Sequence, residues 1–311
     1  MSENILQTKI GSLELKNPVI AASGTFGYGR EFSDLIDVNL LGGIVVKGLS
    51  MEQMPGNPPP RIVETPCGLL NAIGLANVGL KTFLREKLPW LRDLRTAVIV
   101  NIYGHTIDEY GAVAAGLKGV EGVSAIEVNI SCPNVERGGM AFGTDPDLAA
   151  RVTEKVLKNS DKPVIAKLSP NVTDITVQAK AVENAGAHGL SLINTLTGMA
   201  IDIDTREPKL ATVSGGLSGP AIRPVALFMV REVVKAVRIP VIGIGGITDY
   251  RDALEFLIAG ARAVQVGTAN FVNPRATLDI VDGLKRFCEE RGISRIEDII
   301  GTLKEGERPR D

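Results

Sequence analysis

The chain has 311 residues, 44% hydrophobic and 23% charged, a balance that excludes a disordered or fibrous polypeptide and leaves room for one large core. Lys and Arg total 34 against 36 Asp and Glu, so no surplus of positive charge attracts nucleic acid or an anionic membrane surface. Three cysteines without a CxxC pair exclude a disulfide framework and a four-cysteine iron–sulfur site within the chain.

The start, Met1-Ser2-Glu3-Asn4, is polar, and no basic segment with a following apolar run reads as a signal peptide. Apolar runs stop after a few residues, far short of the roughly 20 that span a bilayer. The expectation is a cytoplasmic protein.

Eight short β-branched runs occur in chain order, at residues 19–22, 43–47, 97–103, 125–131, 164–168, 189–194, 241–245 and 263–267. Each is followed by a helical or loop segment, the pattern of repeated βα units on a parallel sheet. Helical spacing of apolar residues appears over 146–160, 174–185, 221–237, 250–259 and 274–291, with Pro146 and Pro274 suited to first helical turns. Ser294-Arg295-Ile296-Glu297 has capping-box spacing and predicts a short last helix, with a frayed tail beyond Gly306. Eight parallel strands predict a (β/α)8 TIM barrel forming one domain over residues 1–311.

Two connections, 49–79 and 195–220, are too long for simple turns, and a third insertion holds Glu136-Arg137-Gly138-Gly139. They follow strands 2, 6 and 4, so they emerge on the carboxyl-end face, where this architecture places chemistry, and read as walls or lids.

The strand ends carry Ser23, Lys47, Asn101, Asn129 with Ser131 and Cys132, Lys167, Asn194 with Thr195, Gly245-Gly246, and Gly267-Thr268. Any one of these is ordinary at a solvated strand end, but together they form one polar pocket. The glycines after the last two strands suit a phosphate site, and the absence of GxGxxG favours a monophosphate ligand over a dinucleotide. Lys167 could hold the anion of a reduced flavin, form a Schiff base, or pair with an acid. Lys47 has the same ambiguity, with Gly48 beside it permitting close approach of a planar ligand. Cys288, on a helix, reads as a small buried hydrophobe and Cys67 as either structural or functional. Cys132 stands directly past a strand, where a nearby lysine could raise its thiolate fraction and make it a usable base.

Seven stretches then match one family in order: Asn17-Pro18 with Ala22-Ser23-Gly24, Asn71-Ala72-Ile73-Gly74-Leu75, Asn129-Ile130-Ser131-Cys132-Pro133-Asn134, Ala166-Lys167-Leu168-Ser169-Pro170-Asn171, Ile193-Asn194-Thr195, Gly216-Leu217-Ser218-Gly219-Pro220 and Gly243-Ile244-Gly245-Gly246. The chain resembles class 1 dihydroorotate dehydrogenases from Lys9 to beyond Gly267. The resemblance implies FMN held by Ser23, Lys47, Gly48, Asn101, Asn129, Lys167, Ile193, Gly219, Gly245, Gly246, Gly267 and Thr268, the last four at its phosphate. It implies dihydroorotate held by Lys47, Asn71, Ala72, Ile73, Gly74, Leu75, Asn129, Asn194 and Thr195. It also implies that Cys132 takes the proton from ring carbon C5 while a hydride passes from C6 to the flavin, with Lys167 steadying negative charge on the reduced flavin.

The chain is similar to the NAD-linked subclass, although Ala76 and Val78 stand where that subclass suggests Gln and Pro. The subclass implies a partner subunit carrying FAD and a [2Fe–2S] cluster, in a heterotetramer of two catalytic and two partner chains. No metal on this chain and no nucleic-acid or membrane partner are expected. The membrane-bound class resembles this one but has serine as base and an N-terminal extension. Rival readings are the fumarate-linked subclass, a flavin barrel acting on another pyrimidine such as dihydrouridine synthase or dihydropyrimidine dehydrogenase, an aldolase-like barrel using Lys167, and a binding module without chemistry.

Overall fold

The structure is a computed structural model and describes residues 4–131, 133–134, 140–304 and 306. Eight parallel strands close into a barrel in sequential order: β1 Val19–Ala21, β2 Gly43–Leu49, β3 Ala97–Ile102, β4 Ala125–Asn129, β5 Val164–Lys167, β6 Gly189–Leu192, β7 Val241–Ile244 and β8 Ala263–Val266. All eight sequence-read strands are present. β4 and β6 end two residues early, so Ser131 and Asn194 stand on the turns beyond them, and β2 runs on to Leu49 past a register shift after Val46.

Helices pack outside the barrel: α1 Ile107–Gly116, α2 Pro146–Asn159, α3 Ile175–Asn184, α4 Arg223–Ala236, α5 Tyr250–Ala259 and α6 Ala276–Glu290. Their starts follow from local chemistry. Asp145, Asp174 and Asp249 each accept hydrogen bonds from backbone N–H groups of the first turn, and Asp249 with Asp252 forms a reciprocal capping box. Pro146 opens α2, whereas Pro274 lies before Arg275, the residue that precedes α6, and is not part of that helix.

The capping box read at Ser294 does not form. Arg295 precedes a single 3₁₀ turn, Ile296–Ile299, which buries Ile296, and the Ser294 hydroxyl lies 3.5 Å from Asp298 Oδ2. The tail expected to fray beyond Gly306 lies outside the described residues.

Two apolar layers position the site. At the amino end an antiparallel hairpin, Thr8–Ile10 with Leu13–Leu15, places Ile10, Leu13 and Leu15 against Ile20, Val45, Ile99, Ala125, Ile165, Ile242 and Ala263 of the barrel interior. This packing plugs that end. Strand side chains alternate, so the other face of each strand packs under the helices in the larger core.

At the carboxyl end the long connections after β2 and β6 join. Strands Ile62–Thr65, Gly68–Asn71, Leu196–Gly198 and Gly215–Ser218 make one four-stranded antiparallel sheet, with Asn71 opposite Gly216. Backbone groups are thereby paired that two irregular loops would leave open. After β4, only Ile130-Ser131, Pro133-Asn134 and the chain from Met140 onward are described. Cys132 and the Glu136-Arg137-Gly138-Gly139 insertion lie outside the described residues.

Candidate active site at the carboxyl end of the barrel

The interior layer above the apolar plug is polar. Two residues beyond Ile99, Ala125, Ile165, Gly189 and Ala263 along their strands stand Asn101, Glu127, Lys167, Ser191 and Gln265, and all five are buried. Glu127 is their centre. Its Oε1 accepts from Asn101 Nδ2 at 2.7 Å, and its Oε2 accepts from Ser191 Oγ at 2.8 Å and Gln265 Nε2 at 2.6 Å. Lys167 Nζ lies 3.6 Å from Oε1. Of the three jobs open to Lys167, the structure shows it beside an acid. Asn101 Oδ1 and Gln265 Oε1 are buried with no partner in the chain.

Above this layer the strand ends are tied to one another. Asn194 Nδ2 donates to Asn129 Oδ1 at 3.3 Å and Ser131 Oγ at 3.0 Å, and Asn194 Oδ1 accepts from Thr195 N. Asn129 Oδ1 also accepts from Ser131 N, and its carbonyl accepts from Tyr110 on α1 at 2.7 Å. Asn171 bridges to the next loop, donating to Thr195 O and accepting from Thr197 N. These contacts bring Asn129, Asn194 and Thr195 together around the turn at Ile130-Ser131.

The stretch Asn71 to Leu75 is half-buried and held from both sides. Asn71 Nδ2 donates to Gly216 O, while Leu75 O accepts from Tyr103 OH at 2.9 Å and Asn77 Nδ2 at 3.0 Å. Leu75 takes a left-handed backbone, φ 59°, after Gly74 at φ 71°.

Lys47 is half-buried in β2, directly past the register shift at Val46. Burial pushes its ammonium below the ordinary lysine range and the positive charge of Arg61 adds to this, while Glu31 opposes it. Lys47 and Arg61 thus make a positive corner. At Gly48 an added Cβ would come 2.9 Å from Asn101 Oδ1, so any side chain there crowds that unpartnered acceptor.

The glycine corner is also assembled. Gly219 at φ 99°, Gly245 at φ 132° and Gly246 at φ 68° all use backbone open to glycine. A Cβ on Gly246 would meet Arg223 Cβ at 2.7 Å and Gly219 O at 2.8 Å. Thr268 Oγ1 donates to Ser218 Oγ at 2.8 Å, joining the β8 end to the antiparallel sheet. Gly267 and Ser23 sit half-buried at the neighbouring ends of β8 and β1. Ile193 is buried, its N–H donating to Ile244 O.

Every described residue of the expected FMN and dihydroorotate sets therefore stands on this face. Glu127, Ser191, Gln265 and Arg61 were not singled out from sequence, and Asn171 only as the end of a matching stretch. Glu127 had a signal: a charged residue inside the run Ala-Ile-Glu-Val-Asn, two positions before Asn129 and so on the same strand face. The remaining described cysteines lie apart. Cys288 is buried on α6, its thiol pushed up by burial with Glu289 adding, and Cys67 is exposed in a hairpin turn. Among the described residues no group of three His, Cys, Asp or Glu could hold a metal ion, and no helix is long and apolar enough to cross a membrane.

The model of the family described as dihydroorotate dehydrogenase matches residues 5–288. The chain belongs to the dihydroorotate dehydrogenase family. It is similar to the protein named dihydroorotate dehydrogenase B (NAD(+)), catalytic subunit, of Geobacter sp. (strain M21), 57% identical over 299 residues, which are 96% of this chain and 98% of that protein. The protein of the same name from Geotalea daltonii is 57% identical over 304 residues, 98% of this chain and 100% of its own length. That from Thermoanaerobacter pseudethanolicus is 56% identical over 299 residues, 96% and 99% of the two chains.

Proposed function

We propose that this chain is the catalytic subunit of a cytoplasmic, NAD-linked dihydroorotate dehydrogenase that binds FMN and oxidises dihydroorotate to orotate in pyrimidine nucleotide synthesis. The observation that carries the reading is the carboxyl-end constellation: positive Lys47 and Arg61, amide-bearing Asn129 and Asn194, buried Lys167 and the glycine corner, all within one barrel mouth.

The residues suit FMN. Asn101 Oδ1 is a buried acceptor without a donor, Gly48 keeps the space before it open, and Gly219, Gly245 and Gly246 leave no side chains to screen backbone amides from a phosphate. Ser23, Ile193, Gly267 and Thr268 complete the proposed FMN set. FMN, when bound, supplies the acceptor for the hydride leaving C6.

The protein's part is positioning and proton transfer. Asn129 and Asn194, with Thr195, face the alternating N–H and C=O edge of the pyrimidine, and Lys47 takes its carboxylate. The Asn71 to Leu75 stretch covers it. Cys132, as thiolate, removes the C5 proton as the C5–C6 double bond forms. Lys167 holds a positive charge where negative charge develops. The bare chain has no CxxC and no GxGxxG, which agrees with passing electrons to a partner subunit bearing FAD and a [2Fe–2S] cluster, two of each chain per assembly.

An anaerobic absorbance spectrum tests this. A yellow chain that bleaches with dihydroorotate is expected, with turnover on NAD restored by the partner. A colourless chain, or a yellow one that dihydroorotate leaves unchanged, overturns the reading, and rapid turnover of the isolated chain with fumarate overturns the NAD assignment.

A further inference from the structure

Glu127 is a charged group fully removed from solvent at the centre of a barrel. A barrel interior that serves stability alone is filled with branched apolar side chains, and a buried carboxylate is costly unless it is paired and hydrogen-bonded. Here it is both, but the network it organises is incomplete. Three neutral donors and one ammonium converge on it, and two carbonyl oxygens of the same network, Asn101 Oδ1 and Gln265 Oε1, remain without donors.

The orientation follows from the inventory of donors and acceptors. An ionised carboxylate only accepts, so each amide must turn its NH2 toward Glu127 and its C=O away. The carboxylate thus decides which face of Asn101 is offered to Gly48 and the site beyond. It also holds Lys167 Nζ at 3.6 Å, offsetting part of the positive field that the ammonium presents.

We propose that Glu127 is a positioning residue: it fixes the amide of Asn101 and the ammonium of Lys167 for the flavin and moderates the charge that Lys167 offers it. This inference rests on the proposed FMN function. Removing the carboxylate leaves Lys167 as an unopposed cation, which favours the negatively charged reduced flavin. It also frees the Asn101 amide to turn, which weakens FMN.

The test compares the wild-type chain with Glu127→Gln and Glu127→Asp, each loaded with FMN. The readouts are the midpoint potential of the bound flavin by dye titration, the FMN dissociation constant by fluorescence, and thermal stability. For Glu127→Gln the reduction equilibrium is expected to shift about tenfold toward the reduced form, about 30 mV for a two-electron couple. FMN affinity is expected to fall several-fold, and Glu127→Asp, which keeps the charge, to restore most of the potential. A folded Glu127→Gln chain with wild-type potential and affinity overturns the inference.

If Glu127→Gln does not fold, the double variant with Lys167→Gln removes both charges of the buried pair. Recovery of folding supports the pairing, because an unpaired buried charge is then what prevented folding, and continued misfolding overturns it by making Glu127 a structural residue only. Failure of the wild-type chain to bind FMN defeats the proposed function instead, so the two failures are distinguishable.

Discussion

Asn194 Nδ2 donates to Asn129 Oδ1 at 3.3 Å, joining the turn beyond β6 to the last residue of β4 although 65 residues separate them in sequence. The same nitrogen reaches Ser131 Oγ at 3.0 Å, so the residue before Cys132 is tied from across the barrel mouth. Two asparagines thereby hold each other in one rotamer, and their remaining polar atoms keep a fixed direction.

Asn194→Ala removes both contacts from a half-buried position. Each hydrogen bond contributes on the order of 1 kcal/mol, so KM for dihydroorotate is expected to rise about tenfold or more. The melting temperature should move by only a few degrees, since the apolar plug and the helix layer are untouched. Steady-state kinetics alongside a melting curve check this, and an unchanged KM removes Asn194 from the substrate set.

Cys132→Ala should leave FMN bound and slow flavin reduction by dihydroorotate roughly 10²- to 10⁴-fold, the usual contribution of a positioned base. Anaerobic stopped-flow reduction measures it directly. Near-normal reduction excludes Cys132 as the base.

Leu15→Ala separates stability from chemistry. Leu15 is fully buried in the plug at the opposite end of the barrel, so the change should cost about 2–5 kcal/mol of stability. KM and flavin content should stay at wild-type levels when measured below the lowered melting temperature. Loss of flavin in folded Leu15→Ala protein would show that the two ends of the barrel are coupled.

The barrel was legible because strands buried on both faces read as compact β-branched runs, and because Lys47, Asn101, Asn129, Lys167 and Asn194 interrupt that pattern at or beside strand ends. Other parts had no such signal. The helix Ile107–Gly116 carries Gly111 against the Lys155 stem and Gly116 against Leu80, close approaches that replace the large apolar residues a helical period needs. Residues 80–92 mix α and π turns around Pro89, so their spacing follows neither period. The four-stranded sheet pairs Gly68–Asn71 with Gly215–Ser218, a register set by tertiary pairing across about half the chain. Glu127 was passed over although its place two residues before Asn129 set it on the same strand face, because the polar residues were sought at the strand ends and not one layer deeper.

Gly246→Ala tests the glycine corner. Its φ of 68° costs an L residue roughly 1–2 kcal/mol, and the new Cβ would come within 2.8 Å of Arg223 Cβ and Gly219 O. FMN affinity should fall at least tenfold. Gly292→Ala is the control, with φ 63° and nothing within 4 Å of its Cβ, and should lose stability without losing FMN. Equal flavin affinity in Gly246→Ala and wild type would place the phosphate elsewhere.

The Lys47 corner predicts a pH dependence whose sign can be worked out. Burial and Arg61 hold its pKa below the ordinary value of about 10.4, so the ammonium loses its proton at lower pH than a free lysine. A carboxylate ligand needs the charged form, so affinity is full below the shifted pKa and lost as pH rises through it. KM for dihydroorotate should therefore be flat near neutrality and climb on the alkaline side before an ordinary lysine titrates. Lys47→Arg, which stays charged, should abolish the climb, and Lys47→Ala should raise KM about 10- to 100-fold at every pH. Arg61→Ala removes a like charge, so Lys47 keeps its proton longer and the climb should move to higher pH. A KM profile measured across pH 6 to 10 for the four proteins decides it: an alkaline climb that persists unchanged in Lys47→Arg assigns the titration to another group and takes the carboxylate away from Lys47.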